Sequence, residues 1–138
     1  MASGQGIDNL KRPLILAVDD ERCARDLISA SLRSINVELV LFSSADGFHQ
    51  AVRAQRPDAI LLDWRMPDAS GVDLCRELRA YAPEVPVIFI SSESRPEMIH
   101  EALSAGAQLF LTKPIAPDQI RKNVECVLQG SSSGPSLP

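Results

Sequence analysis

Cysteine is sparse. The three thiols, Cys23, Cys75 and Cys126, are odd in number, far apart and in no CxxC pair. That excludes a disulfide framework or a zinc site, and the thiols are expected to be buried in a protein of a reducing compartment. Long apolar runs are also missing. Nothing approaches the roughly 18 residues of a membrane span, and the start, MASGQGIDNLKR, has no apolar signal region. These absences point to a cytoplasmic location and no membrane contact. Basic residues are outnumbered 14 to 18, for a formal charge of −4. Without a basic patch to neutralise phosphates, direct contact with nucleic acid is not expected. No Gly-rich loop follows the first apolar run, which counts against a nucleotide or flavin cradle. Lysine is scarcer than arginine, three against eleven.

What is present is enough for one domain. The chain has 138 residues, 45% of them apolar, so it can bury a real core without metal or disulfides. Residues 1–12 are polar, and residues 130–138 are almost wholly Gly, Ser and Pro, so both ends read as disordered or flexible tails around a domain at 13–129. Between them, five short apolar runs have strand length: LILAV (14–18), ELVLF (38–42), AILLD (59–63), VIFIS (87–91) and QLFLT (108–112). Each precedes a segment with helical spacing. Leu27, Ile28 and Leu32 mark the first stripe, Phe48 and Val52 the second, and Leu74, Cys75 and Leu78 the third. Met98, Ile99, Ala102 and Leu103 mark the fourth, read as core, and Ile120, Val124 and Leu128 the fifth. Alternation of this kind predicts an α/β (βα)5 fold with a parallel sheet and right-handed crossovers. His49 and His100 occupy polar-facing helical positions and read as surface residues.

In an open parallel sheet, ligands bind beyond the carboxyl ends of the strands, so the residues that end each run matter most. Asp19, Asp20 and Glu21 follow the first run, Asp63 ends the third, Ser91 and Ser92 end the fourth, and Thr112, Lys113 and Pro114 end the fifth. Singly, each has an ordinary reading: the acidic pair or the serines as helix caps, Asp63 as a turn residue, Lys113 as a solvated loop. Jointly they gather carboxylates, a hydroxyl and an ammonium at one edge. Carboxylates so placed suit a hard divalent ion such as Mg²⁺, and one of them can act as a nucleophile toward a phosphoryl group. The ion, Lys113 and a hydroxyl would then stabilise charge on the transferring oxygens.

This ordered set resembles the CheY-like receiver domain of two-component response regulators. It comprises Asp19–Asp20, Asp63 in D-W-R-M-P, Gly71, Ser91 and Lys113–Pro114, and the likeness covers about residues 13–129. The resemblance implies a doubly wound, flavodoxin-like five-stranded sheet of order 2-1-3-4-5, an order the general rule for such sheets already illustrates with this family. It implies that Asp63 is the phosphoacceptor and modified residue, supplied by a histidine kinase or phosphotransfer protein. Asp20, Asp63 and the backbone carbonyl of Arg65 would hold Mg²⁺, with Asp19 in the same pocket. Lys113 would pair with the phosphoryl group, Ser91 would hydrogen-bond it after an inward shift, and Phe110 would move with Ser91 as the aromatic switch. The Lys113–Pro114 peptide is commonly cis in such domains. An unknown downstream protein or output domain would read the change, with dimerisation open to the face of the fourth helix, fifth strand and fifth helix. The domain would not be an enzyme beyond self-phosphotransfer and autodephosphorylation.

Two positions depart from the commonest pattern: Ser92 stands where a small residue is usual, and Phe110 replaces the more frequent Tyr. Arg65 and Glu93, two residues beyond Asp63 and Ser91, carry opposite charges that can pair across the pocket mouth. The alternative function is a metal-dependent phosphatase that turns over an Asp63 aspartyl-phosphate. That chemistry needs an acid/base residue at position 65, which is Arg. A pseudo-receiver that binds partners without phosphorylation is disfavoured by the complete set.

Overall fold

A computed structural model describes residues 12–130; of the tails expected at 1–12 and 130–138, residues 1–11 and 131–138 lie outside the described residues. The elements alternate as β1 (Leu14–Val18), α1 (Arg22–Leu32), β2 (Glu38–Phe42), α2 (Phe48–Ala54), β3 (Ala59–Asp63), α3 (Gly71–Tyr81), β4 (Val87–Ser91), α4 (Pro96–Ser104), β5 (Leu109–Thr112) and α5 (Pro117–Gly130). Gly130, which composition assigns to the tail, is thus the last residue of α5, a position where glycine readily ends a helix. All strand pairs are parallel and the order is β2-β1-β3-β4-β5, as the resemblance implies.

Register decides where the polar residues fall. Val18 is level with both Phe42 and Leu62, Asp63 with Ile90, and Ser91 with Thr112. The chain leaves β1 for β2 on one side and returns to β3 on the other, so the switch point lies between β1 and β3. Asp19 and Asp63 end up on either side of it.

Successive strand residues point to opposite faces, and each face has its own core. Leu16, Val18, Ile60, Leu62 and Phe89 pack with Phe48, Val52, Leu74, Leu78 and Ala102. Ile15, Ala17, Leu61, Ile88 and Ile90 pack with Ile28, Leu32, Ile120 and Val124. Because helices cover both faces, every residue of β1, β3 and β4 is buried, which explains their nearly continuous apolar runs. The edge strand β2 is half-covered, and Val40 and Leu41 remain accessible.

Three expectations from the sequence are corrected. Met98 and Ala102 are buried, but Leu103 is 52% exposed. One residue past Ala102 turns about 100° around the helix, which carries Leu103 off the buried face. Of the thiols, Cys75 is buried while Cys23 and Cys126 are exposed. Cys126 lies two residues after the buried Val124 and so faces the opposite side of α5. His49 is half-buried rather than a free surface residue. Its Nδ1 lies 2.6 Å from the Tyr81 hydroxyl and its Nε2 lies 2.8 Å from Glu77, linking α2 to α3. The Arg53 guanidinium stands 4.2 Å over the Tyr81 ring on the same seam. Among the described residues no helix is long and apolar enough to cross a membrane.

Met98 and Leu103 provide a direct check on this packing. Truncation of Met98 to Ala is expected to cost about 2–5 kcal/mol. Truncation of Leu103 to Ala should cost less than about 0.5 kcal/mol. Urea denaturation of the two variants measures both, and equal losses would contradict the placement of α4.

Candidate functional site

Four strand ends converge on one acidic pocket. Asp19 follows β1 and is 1% exposed, and Asp63 ends β3 at 6%. Such burial is exceptional for carboxylates and needs partners. Asp19 Oδ1 accepts the backbone N–H of Glu21 at 3.0 Å, and its carbonyl accepts from the Arg25 guanidinium at 2.9 Å. Oδ2 is buried and pairs with the Lys113 ammonium 3.1 Å away. The ordinary cap readings do not apply. Glu21, the N-cap residue of α1, makes no side-chain cap, and Arg95, not a serine, occupies the N-cap of α4.

Lys113 reaches back from the β5–α5 connection into this pocket. Its Nζ lies 3.1 Å from Asp19, 3.2 Å from Glu21 and 3.8 Å from Asp63. Partial burial works against its charge, but the hydrogen bond and charge of Asp19, with Asp63 and Glu21, prevail and raise its pKa. The Lys113–Pro114 peptide is cis. Asp63 is pushed in the neutral direction, from an ordinary 3.8 to about 7. Burial is the main cause and the charge of Asp19 the second; Lys113 opposes them, while Asp20 adds a hydrogen bond and a further like charge.

Carboxylate oxygens of Asp19, Asp20 and Asp63 all lie within 4.8 Å of one another, the first and last buried and Asp20 exposed. An all-oxygen donor set of this size fits a hard divalent cation. The cluster can therefore hold Mg²⁺, which would relieve the repulsion that raises Asp63.

The loop after β3 is tightly closed. Gly71 N–H donates to the Trp64 carbonyl at 2.9 Å, Arg65 bridges Ser70, and Ser70 caps α3 by accepting from Asp73 N–H at 3.1 Å. A Cβ on residue 71 would collide with the carbonyl oxygen of Asp63 and press on Phe89, so only glycine lets α3 start this close to the strand end. The Arg65 guanidinium meets Glu93 at 2.9 Å, the pairing their opposed charges suggest. Ser91 is buried and its Oγ accepts the N–H of Glu93 at 3.0 Å, whereas Ser92 is exposed. Phe110 is partly buried against Trp64 and Phe89, with ring centroids 5.8 and 6.5 Å away. Beside Lys113, an apolar cleft of about 240 Å³ opens between α1 and the start of α5, lined by Leu27, Ile28, Pro114 and Ile115.

Sequence reasoning brought Asp19, Asp20, Asp63, Ser91 and Lys113 to one edge, and the structure brings these together. It did not find Glu21 as a partner of Lys113, the close approach behind Gly71, or the contact of Trp64 with Phe110. The acidic run at 19–21 was a visible signal for the first. The other two depend on contacts between separate elements and leave none.

The family model for the response regulator receiver domain matches residues 15–125. This chain belongs to that family. Among curated relatives, the phosphate regulon transcriptional regulatory protein PhoB of Pseudomonas aeruginosa is 30% identical over 124 residues, covering 88% of this chain and 54% of PhoB. The response regulator protein TodT of Pseudomonas putida is 33% identical over 116 residues, covering 84% of this chain and 51% of TodT. The chain spans about half the length of the curated relatives it matches. Among solved structures, the BeF3-activated receiver domain of DrrB from Thermotoga maritima superposes with a TM-score of 0.79 at 26% identity, covering 86% of this chain and 99% of that one. The receiver fold is thus shared with this solved structure over most of the chain.

The raised pKa of Asp63 has a consequence for stability. A carboxyl whose pKa is higher folded than unfolded favours folding fully below 3.8, and that favour is lost as the pH rises through about 7. In divalent-free buffer at pH 8, Asp63→Asn is expected to be more stable than the wild type by on the order of 2–4 kcal/mol. The difference should shrink as the pH falls toward the unfolded value. Chemical denaturation across this range tests the effect, and a constant difference would contradict it.

Proposed function

We propose that this receiver domain is a phosphorylation-dependent switch in which Asp63 accepts a phosphoryl group from the phosphohistidine of a histidine kinase or phosphotransfer protein. The observation that carries the reading is a buried Asp63 at a strand end, 3.8 Å from an ammonium that also holds Asp19. An Asp63 oxygen attacks phosphorus, the P–N bond breaks, and the leaving imidazole takes up a proton. Asp20, Asp63 and the carbonyl of Arg65 would hold Mg²⁺, with Asp19 beside them. When bound, that ion neutralises charge on the transferring phosphoryl oxygens.

Afterwards Lys113 exchanges part of its contact with Asp19 and Glu21 for the phosphoryl oxygens, which carry more charge than either carboxylate. Ser91 hydroxyl donates to the same group. Phe110 follows it by repacking on Trp64 and Phe89, which biases a two-state element. The surface that reads this change is the α4–β5–α5 face, where Leu103 stands exposed, and it serves an unidentified downstream protein, output domain or second copy. The donor must bring its imidazole to Asp63, and the apolar cleft beside Lys113 suits contact with it. The setting is cytoplasmic, and catalysis is confined to the domain's own phosphorylation and dephosphorylation. No observation favours the phosphatase alternative: the side chain at position 65 is a guanidinium committed to Glu93, not an acid or base.

Incubation with Mg²⁺ and a small phosphodonor should add one phosphoryl group by mass spectrometry, change the fluorescence of Trp64, and do neither in Asp63→Asn. Release of many phosphates per chain would instead identify an enzyme. The Arg65–Glu93 pair shields the pocket mouth from water. An Arg65→Ala, Glu93→Ala double variant should therefore lose its phosphoryl group faster, by roughly two- to fivefold given the size of exposed pairs. An unchanged rate of loss would remove that role.

A further inference from the structure

Glu93 is tethered three times. Its backbone N–H donates to Ser91 Oγ at 3.0 Å, and its Oε1 meets Arg65 at 2.9 Å. The same Oε1 also meets Arg95 Nη2 at 3.5 Å. Arg95 is the N-cap residue of α4 and itself touches Glu97, in the first turn of that helix, at 3.9 Å. A continuous line of alternating charge thus runs from the residue two past Asp63 to the start of α4. Neither Arg95 nor Glu97 has been assigned any part in the site above.

We infer that Arg95 is a positioning residue for phosphoryl-group lifetime. It rests on the phosphoacceptor reading of Asp63. Glu93 alone can swing into solvent, because its side chain is 46% exposed and a single exposed ion pair holds an acid loosely. A second cation on the same oxygen removes that freedom. Glu93 then stays over the mouth of the pocket, Arg65 stays with it, and the path of an attacking water to phosphorus remains obstructed. Arg95 touches neither Asp63 nor the metal-ligating carboxylates, so it acts only through Glu93. Since it is the N-cap residue of α4, whatever holds or displaces the start of that helix also alters the barrier to hydrolysis.

The test separates loading from loss. In Arg95→Gln, the phosphoryl group on Asp63 is expected to be lost about two- to fivefold faster than in wild type, the range for one exposed ion pair. Arg95→Lys should recover part of the lifetime. The difference should shrink at high salt, where exposed charges are screened. Beryllofluoride, which binds without being hydrolysed, should titrate Trp64 fluorescence with the same midpoint in wild type and Arg95→Gln. In a Glu93→Gln background, Arg95→Gln should change nothing further. In the unphosphorylated protein, the NMR signal of the Arg65 Nε–H should move in Arg95→Gln. The inference is overturned if the rate of loss is unchanged in Arg95→Gln. It is equally overturned if the acceleration persists in the Glu93→Gln background, or if the beryllofluoride midpoint shifts with it. A wild type that takes up neither phosphoryl group nor beryllofluoride would refute the phosphoacceptor reading itself.

Discussion

Like charges held close together at the carboxyl end of a parallel sheet are the constraint on which this domain depends. Asp19 and Asp63 are both buried, on adjacent strands, with Asp20 beside them. Left alone, such a cluster would push its strands apart or take up a proton, and the raised pKa of Asp63 expresses that tension. One ammonium answers it: Lys113 reaches Asp19, Glu21 and Asp63 together. The arrangement is stable enough to persist and unsatisfied enough to welcome a cation and a phosphoryl group. A pocket with every charge neutralised by protein would have no reason to change when phosphorylated.

The remainder of the fold holds those charges in place. Strands β1, β3 and β4 are buried along their whole length, and each of their faces has a separate apolar cluster. Dense packing of this kind resists displacement, so repulsion at the strand ends cannot relax by spreading the sheet. Gly71 plays a corresponding part on the other side of Asp63, letting α3 begin against the strand end where any side chain would collide. Stability spent at the functional edge is recovered in the two cores, a division common where a site demands unfavourable chemistry.

Much of this was legible in the residues. Fully apolar runs announced central strands, and the positions just after them announced the pocket, because a parallel sheet brings all its carboxyl ends to one side. Asp63 and Lys113 were readable for that reason although 50 residues of chain separate them. What could not be read were contacts between elements distant in sequence. His49 looked like a polar helix position, yet it bonds Tyr81 and Glu77 across a helix seam. Leu103 looked like core, yet among the described residues it is left half exposed. Periodicity describes which residues share a face of one helix, and says nothing about how much of that face finds a partner.

The sequence by itself determined the alternation of strands and helices, the burial of the central strands and the chemical character of the site. Those follow from local spacing and from residue type at strand ends. Only the tertiary structure decided how the charges share one another: which carboxylates Lys113 holds, why Asp63 resists ionisation, and that Glu93 serves two arginines at once. Electrostatic energies depend on separations of a few ångströms and on exclusion of water, and neither exists until the chain has folded.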